Sequence, residues 1–355
     1  MSAPLKRQPC SEIRPGDSIE SPYLLANVEQ RSKKNGDPYF FLTLGDSSGQ
    51  VAAVMWDNHA PLLDKEITQE DFVYVEANAS EFNGAPQLVL RKINRLQDDD
   101  VNLQDFLAVS PRSREEMEAQ LNDWIAQVKH PACQRLLARL FGHERFRDLF
   151  CTAPAAASIH QAYRHGLLEH TLNVVHHAVH LIQLYKPYSH DLLVTAGLLH
   201  DVGKIREFEW RRTIRYSQEG QLLGHISIGA NMVDSAIRSL QREPEGFPAE
   251  FHHHILHLIL SHHGKLEYGS PIVPKTKEAL VLHYADYADA YLTSYQTLTA
   301  QASDSKTGWT NYQKRFESPL YAGPTLGLEE SAEFASAPPT DQPPHLMPSA
   351  EVPSA

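Results

Sequence analysis

Between residues 12 and 96 apolar and polar positions alternate with a period close to two, as in strands that turn one face to a core. Gly16-Asp17 opens a first segment carrying Ile19, Tyr23, Leu25 and Val28. After the turn-rich loop 31–38 come Tyr39-Phe40-Phe41-Leu42-Thr43-Leu44, the turn Asp46-Ser47-Ser48-Gly49, and a second apolar run over 51–56. Segments 72–77 and 87–93 complete about five β-rich stretches with short connections, which predicts a five-stranded barrel of the OB type. From Ser113 the period lengthens. Ser113 and Glu116 have the S-x-x-E form of a capping box, and Met117, Leu121, Trp124, Ile125 and Val128 follow at helical spacing. Helical patterning then continues to about Leu298, broken at Pro131, Pro154, Pro187 and Glu243-Pro244-Glu245-Gly246. The expected architecture is β plus α in one chain. It comprises an arm (1–11), an OB-type barrel (12–97), an acidic linker (98–112), a helical connector (113–158), an all-α domain (159–300), an extension (301–324) and a Pro-rich acidic tail (325–355). That tail has little to bury and reads as disordered.

The chain has 355 residues, more than one core usually holds, which agrees with two folded domains. Its N-terminus has no apolar signal core, and no apolar run is long enough to span a bilayer, so the expectation is a cytoplasmic protein without membrane contact. Cys10, Cys133 and Cys151 are scattered, which argues against a disulfide framework and against a thiolate metal site. The net charge of -12 looks wrong for a nucleic-acid binder. Ten of those charges, however, lie in two stretches without Lys or Arg: Asp98, Asp99, Asp100 and Asp105, then Glu317, Glu329, Glu330, Glu333, Asp341 and Glu351. Net charge therefore does not exclude nucleic acid.

The chemistry concentrates in the helical region. His200-Asp201-Val202-Gly203-Lys204 ends a helix that is apolar on nearly every face, and a His-Asp pair is costly to bury there without a partner such as a metal ion. His170 shares a helical face with Leu167, Val174, Ala178 and Leu181. His225 follows Gly224 at a helix start, His262-His263 follow the apolar run 255–260, and Asp286 lies on a helix with Leu282 and Ala285. One inward histidine is more often a satisfied core residue than a ligand. Five such elements, each on its own apolar helix, point to a metal site. Oxygen and nitrogen ligands suit manganese, iron, magnesium or zinc.

In these elements the sequence resembles the HD superfamily of metal phosphohydrolases over residues 159–298. The resemblance implies a first metal held by His170, His200, Asp201 and Asp286. It implies a second held by His225 with His262, His263 or both, Asp201 bridging the two ions. Lys204 would neutralise a phosphate oxygen. Two cations about 3.5–4 Å apart activate water and stabilise the leaving oxygen of a phosphodiester.

The barrel implies a strand to feed this site. Its first loop carries Arg31, Lys33 and Lys34, and neighbouring strands offer Tyr39, Phe41 and Trp56. Cations follow a single-stranded backbone while bases stack on rings, although about half of these rings are expected in the core. An OB barrel, a linker and an HD domain in this order resemble the YhaM family of 3′-to-5′ exoribonucleases. Gly166-Leu167-Leu168-Glu169-His170-Thr171, Ser261-His262-His263-Gly264, Tyr268-Gly269-Ser270-Pro271 and Leu282-His283-Tyr284-Ala285-Asp286 carry the likeness, with a looser match at Gly308-Trp309-Thr310. That family implies manganese-dependent removal of nucleotides from the 3′ end of single-stranded RNA, with DNA as an alternative substrate, and often a homo-oligomer. Two other readings compete: an HD-type nucleotide or dinucleotide phosphohydrolase, and a non-catalytic nucleic-acid-binding module.

Overall fold

The computed structural model describes residues 7–33, 35–56, 67–82, 84–102, 105–158, 160–302 and 307–323. Lys34 and the tail 325–355 lie outside the described residues. Within the unit Met1–Thr297, the chain first closes a barrel from β1 (Ser18–Ser32), β2 (Pro38–Asp46), β3 (Gly49–Met55), β4 (Phe72–Phe82) and β5 (Ala85–Arg95). The order around the barrel is β1-β2-β3-β5-β4, antiparallel throughout except for the parallel pair β3–β5. The 15-residue β1 serves two neighbours, β4 along its first half and β2 along its second, with an irregularity between Leu25 and Asn27. Alternating residues such as Ile19, Tyr23, Leu42, Leu44, Val75, Leu88 and Leu90 fill the interior. Closure leaves no edge strand to pair with a foreign chain.

The acidic stretch after the barrel is packed rather than a free spacer. The Phe106 ring lies 4.7 Å from that of Phe72, and Ser110 donates its hydroxyl to Glu169 at 2.5 Å. Asp105 pairs with Arg7 at 3.0 Å, and Asp98 with Arg211 at 2.6 Å and with Arg212. Two of the four carboxylates of this segment, Asp98 and Asp105, thus pair with arginines from other elements.

The helices follow as α1 (Arg114–Gln127), α2 (Pro131–Phe141), α3 (Glu144–Thr152), α4 (Gly166–Ile182), α5 (His190–Leu199), α6 (Lys204–Glu207), α7 (Gln218–Gln241), α8 (Ala249–Ser261) and α9 (Lys277–Gln301). Ser113 caps α1 by accepting from the Glu116 N–H, as the capping-box pattern requires, and Pro131 opens α2. From Leu192 to Leu199 every residue of α5 is buried, which explains why its sequence is apolar all round. It runs through a core shared with Leu136, Val175, Ile237, Ile259 and Leu282. No helix among the described residues is long and apolar enough to cross a membrane.

A short hairpin, β6 (Phe208–Glu209) and β7 (Arg215–Tyr216), leaves the bundle and grips the barrel. Its Arg212 donates to the Glu70 carbonyl at 3.0 Å, pairs with Asp71 at 3.3 Å and lies 5.2 Å from the centre of the Phe72 ring. Thr213 donates to Glu70 at 2.9 Å, and Arg215 pairs with the same carboxylate at 3.2 Å. In the separate unit Leu298–Ala355, residues 307–323 fold on themselves. The Thr310 N–H donates to Leu320 O, and Trp309 meets Tyr321 edge to face.

Candidate metal centre and nucleic-acid interface

Five helices deliver histidines and carboxylates to one buried point. His170 sits in the second turn of α4, and α5 ends at Leu199 so that His200-Asp201 fall in the turn before α6. α7 is kinked at Gly224, whose φ of 69° is cheap only for glycine, and its main run begins at His225. His262-His263 follow the end of α8, and Asp286 lies on α9. Close packing fixes the approach: a Cβ at Gly203 would stand 2.0 Å from the His225 carbonyl oxygen, so only glycine lets α6 and α7 meet there.

Each histidine is held by its Nδ1. His200 bonds the Gly197 carbonyl at 2.7 Å, His262 the Ile259 carbonyl at 2.6 Å and His263 the Tyr268 carbonyl at 2.8 Å. His170 bonds Asp289 at 2.7 Å and His225 bonds Glu207 at 3.0 Å. A carbonyl or carboxylate can only accept, so Nδ1 carries the hydrogen, and Nε2 is the atom left to offer a lone pair to a cation. Four of those Nε2 atoms, from His170, His200, His225 and His262, converge on Asp201. Oδ2 of Asp201 lies 3.4 Å from Nε2 of both His170 and His200, while Oδ1 lies 3.4 Å from His225 and 3.5 Å from His262. Asp286 closes one side, 3.1 Å from His170 Nε2.

Nε2 of His170, His200, His225 and His262, and Oδ1 of Asp201, are buried without a hydrogen-bond partner. Leaving five such atoms unsatisfied would cost several kcal/mol, roughly 1–3 for each. A cation resolves all of them at once, so the residues present fit a divalent metal. His170, His200 and Asp201 offer ligand atoms within 4.8 Å of one another, and so do His225, His262 and His263. The set is nitrogen and oxygen only. Cys10, Cys133 and Cys151 are free and buried elsewhere, and burial pushes the Cys133 thiol up to about 11.

The electrostatics carry the same demand for positive charge. Burial would raise the Asp201 carboxyl, but Lys204 and the surrounding imidazoles hold it well below its ordinary value. Burial opposes charge on His170, yet Asp201, Asp286 and Asp289 hold it well above its ordinary value. Burial and the neighbouring His262 push His263 down to about 4, leaving it a neutral donor at physiological pH. Lys204 is buried with its ammonium 2.5 Å from Asp201 Oδ2, one turn beyond the pair.

The structure also brings in residues that the pattern of apolar helices did not single out. Asp289 stands three residues beyond Asp286 on the same face of α9, and it accepts from His170, from Asn173 at 2.9 Å and from Gln161 at 2.8 Å. Glu207, at the end of α6, accepts from both the backbone N–H and the ring of His225. Their signal in the sequence was their i+3 spacing from Asp286 and from Lys204.

On the barrel, β1 and β2 place Arg31 opposite Tyr39 and Glu29 opposite Phe41. The Arg31 guanidinium lies 4.0 Å from the centre of the Phe41 ring, and the Lys33 ammonium 5.3 Å from that of Trp56. Tyr39 and Trp56 rings are 5.2 Å apart. Five of the six residues expected to meet nucleic acid therefore form one surface; Lys34 lies outside the described residues. The expectation that half of these rings are core fails: Tyr39 and Phe41 are only partly buried and Trp56 is exposed. The alternation of β2 sends Phe40 to the core instead, alongside the fully buried Tyr23. Arg31 also pairs with Glu29 at 2.7 Å, both exposed.

The HD domain family model matches residues 167–291, and the model of an OB-fold nucleic acid binding domain matches residues 26–96. The 3′-5′ exoribonuclease YhaM of Bacillus velezensis is 34% identical over 276 residues, covering 78% of this chain and 85% of that protein. Its counterpart in Bacillus subtilis is 34% identical over 278 residues, with the same coverage. Among solved structures, the second OB-fold domain of replication protein A from Methanococcus maripaludis is 18% identical over 26% of this chain and 97% of that one, with a TM-score of 0.22.

Proposed function

From the premise that this chain belongs to the YhaM family of 3′-5′ exoribonucleases, we propose that it removes nucleotides one at a time from the 3′ end of single-stranded RNA at the Asp201 cluster. It is a metal-dependent hydrolase in which an OB domain precedes an HD domain. The single observation that carries the assignment of the site is the two-sidedness of Asp201. One carboxylate oxygen faces His170 and His200, the other faces His225 and His262, and none of the facing Nε2 atoms has a hydrogen-bond partner.

In this reading His170, His200, Asp201 and Asp286 would hold one divalent ion, and His225 with His262, His263 or both would hold a second, Asp201 standing between the two sets. Manganese is the favoured metal, on the family resemblance. When bound, the ions supply charge to the scissile phosphate and a water activated for attack on phosphorus. The chain's own residues orient and exclude. Asp289 and Glu207 fix the rings of His170 and His225, a role that typically sets both ring direction and ligand basicity. Lys204 keeps Asp201 ionised and adds a positive charge beside the phosphate, and the buried walls keep bulk water from diluting these charges.

The barrel face of Arg31, Lys33, Tyr39, Phe41 and Trp56 suits a strand that passes without sequence readout, cations tracking phosphates and rings taking bases. A homo-oligomer is the expected setting, by the family resemblance. The test is a time course on 5′-labelled single-stranded RNA and DNA of equal length with manganese, with magnesium and with chelator. A metal-dependent ladder shortening from the 3′ end is the expected result, with RNA cut faster. Internal fragments, or turnover confined to mononucleotides and dinucleotides, would overturn the reading.

A further inference from the structure

The loop after His262-His263 joins a metal-site residue to an exposed aromatic ring. Gly264 turns the chain at a φ of 79°, and a Cβ there would strike the His283 ring at 2.2 Å, so the turn is open only to glycine. The loop then closes on itself through Tyr268 N–H to Lys265 O at 3.1 Å and Ser270 N–H to Lys265 O at 3.2 Å. Its main chain reaches back to the site: the Tyr268 carbonyl takes the Nδ1 hydrogen of His263. The Tyr268 side chain does none of this work and is 45% exposed. Beside it the Lys265 ammonium lies 4.9 Å from the ring centre and 3.5 Å from the hydroxyl, with the exposed Glu267 carboxylate 3.4 Å away. An exposed ion pair of this kind is weak and exchanges readily for a phosphate.

The geometry points to Tyr268 and Lys265 as a subsite for the end of the strand, the ring stacking on the base of the 3′-terminal nucleotide and the ammonium meeting an adjacent phosphate. This rests on the exonuclease reading above and deepens it. The chemistry is that of single-strand binding surfaces, in which a ring accepts any base face and a neighbouring cation follows the backbone. What is particular here is the tether: the same loop that orients His263 presents the ring, so the stacked base and the metal centre keep a fixed separation. The subsite would set how the last nucleotide is registered for cleavage, with little preference among the four bases.

The decisive experiment pairs the protein ring with the substrate base. Full-length wild type, Tyr268→Ala and Tyr268→Phe are compared on oligonucleotides that carry either a normal or an abasic 3′-terminal nucleotide. Stacking typically contributes enough for Tyr268→Ala to lower kcat/KM on the normal end by about 10-fold. Tyr268→Phe should retain the wild-type rate, and the abasic end should be cut equally by all three. Binding in chelator gives a readout independent of turnover: a 3′-terminal 2-aminopurine should be quenched by wild type and not by Tyr268→Ala. Metal content should be unchanged, because alanine keeps the carbonyl that holds His263. If Tyr268→Ala cuts both ends at the wild-type rate, or loses equally on both, the subsite is wrong. If wild type itself shows no metal-dependent shortening, the exonuclease reading fails instead.

Discussion

The metal centre and the barrel face solve opposite problems. Around Asp201 the groups are buried or nearly so, and every histidine ring is held at its far nitrogen by a carbonyl or a carboxylate, so the near nitrogens have one direction left to point. On the barrel, Arg31, Lys33 and Trp56 are wholly or partly exposed and lean on one another, Arg31 over Phe41 and Lys33 over Trp56. The first arrangement tolerates almost no displacement and suits a small ion and a fixed transition state. The second can rearrange at little cost and suits a strand of any sequence sliding past. Precision is therefore concentrated where bonds break and adaptability where the substrate is carried.

The contrast can be broken most severely at its rigid end. Asp201→Ala removes the carboxylate that faces both halves of the cluster, and the expected outcome is loss of both metals together with a fall in cleavage of about 1,000-fold or more, measured by metal analysis and single-turnover kinetics. A variant that kept one ion and substantial turnover would show that Asp201 does not bridge. Asp289→Asn leaves the shape of α9 but weakens the acceptor for His170, and Glu207→Gln does the same for His225. Each should lower metal affinity by about 10- to 100-fold, read by titrating manganese into apo protein.

The join between the two regions comes next in size. Arg212→Ala removes the hairpin's contacts to the Glu70 carbonyl and to Asp71 and one of its two arginines on Asp98, leaving Thr213, Arg215 and Arg211 in place, and we expect docking of the barrel to weaken by about 2 kcal/mol. Differential scanning should then resolve the barrel and the bundle as separate transitions, and the preference for long over short substrates should shrink while short-substrate turnover persists. The smallest effect is expected at the adaptable end. Lys33→Ala with Lys34→Ala should weaken oligonucleotide binding and flatten its dependence on salt by about 0.7 in log–log slope for each phosphate that is no longer neutralised. Cleavage of the shortest substrates should not change. An equal loss on short and long substrates would place these lysines outside the strand path.

The two regions were also unequally legible in the sequence. Period-two alternation defined all five strands, and the capping box at Ser113 and the glycine before His225 marked helix starts that the structure reproduces, because each is set by local backbone chemistry. The inward histidines stood out because a polar residue on an apolar helix needs a reason. Asp289 and Glu207 were harder to find: their partners lie 119 and 18 residues away along the chain, and nothing local distinguishes an acceptor for an imidazole from any other acidic residue. The hairpin's grip on the barrel was invisible for the same reason, and nothing local in the acidic linker shows that Asp98 pairs with Arg211 and Arg212, which are remote in sequence. Which barrel rings face outward depends on strand register, and a one-residue change of register exchanges Phe40 for Phe41.

A titration of manganese into metal-free protein decides whether two ions share Asp201, with bound metal and the rate of 3′ shortening followed in the same samples. The expected result is saturation at two equivalents per chain, with activity rising to completion only as the second equivalent binds. Saturation at one equivalent with full activity, or cleavage that survives complete removal of metal, would contradict it.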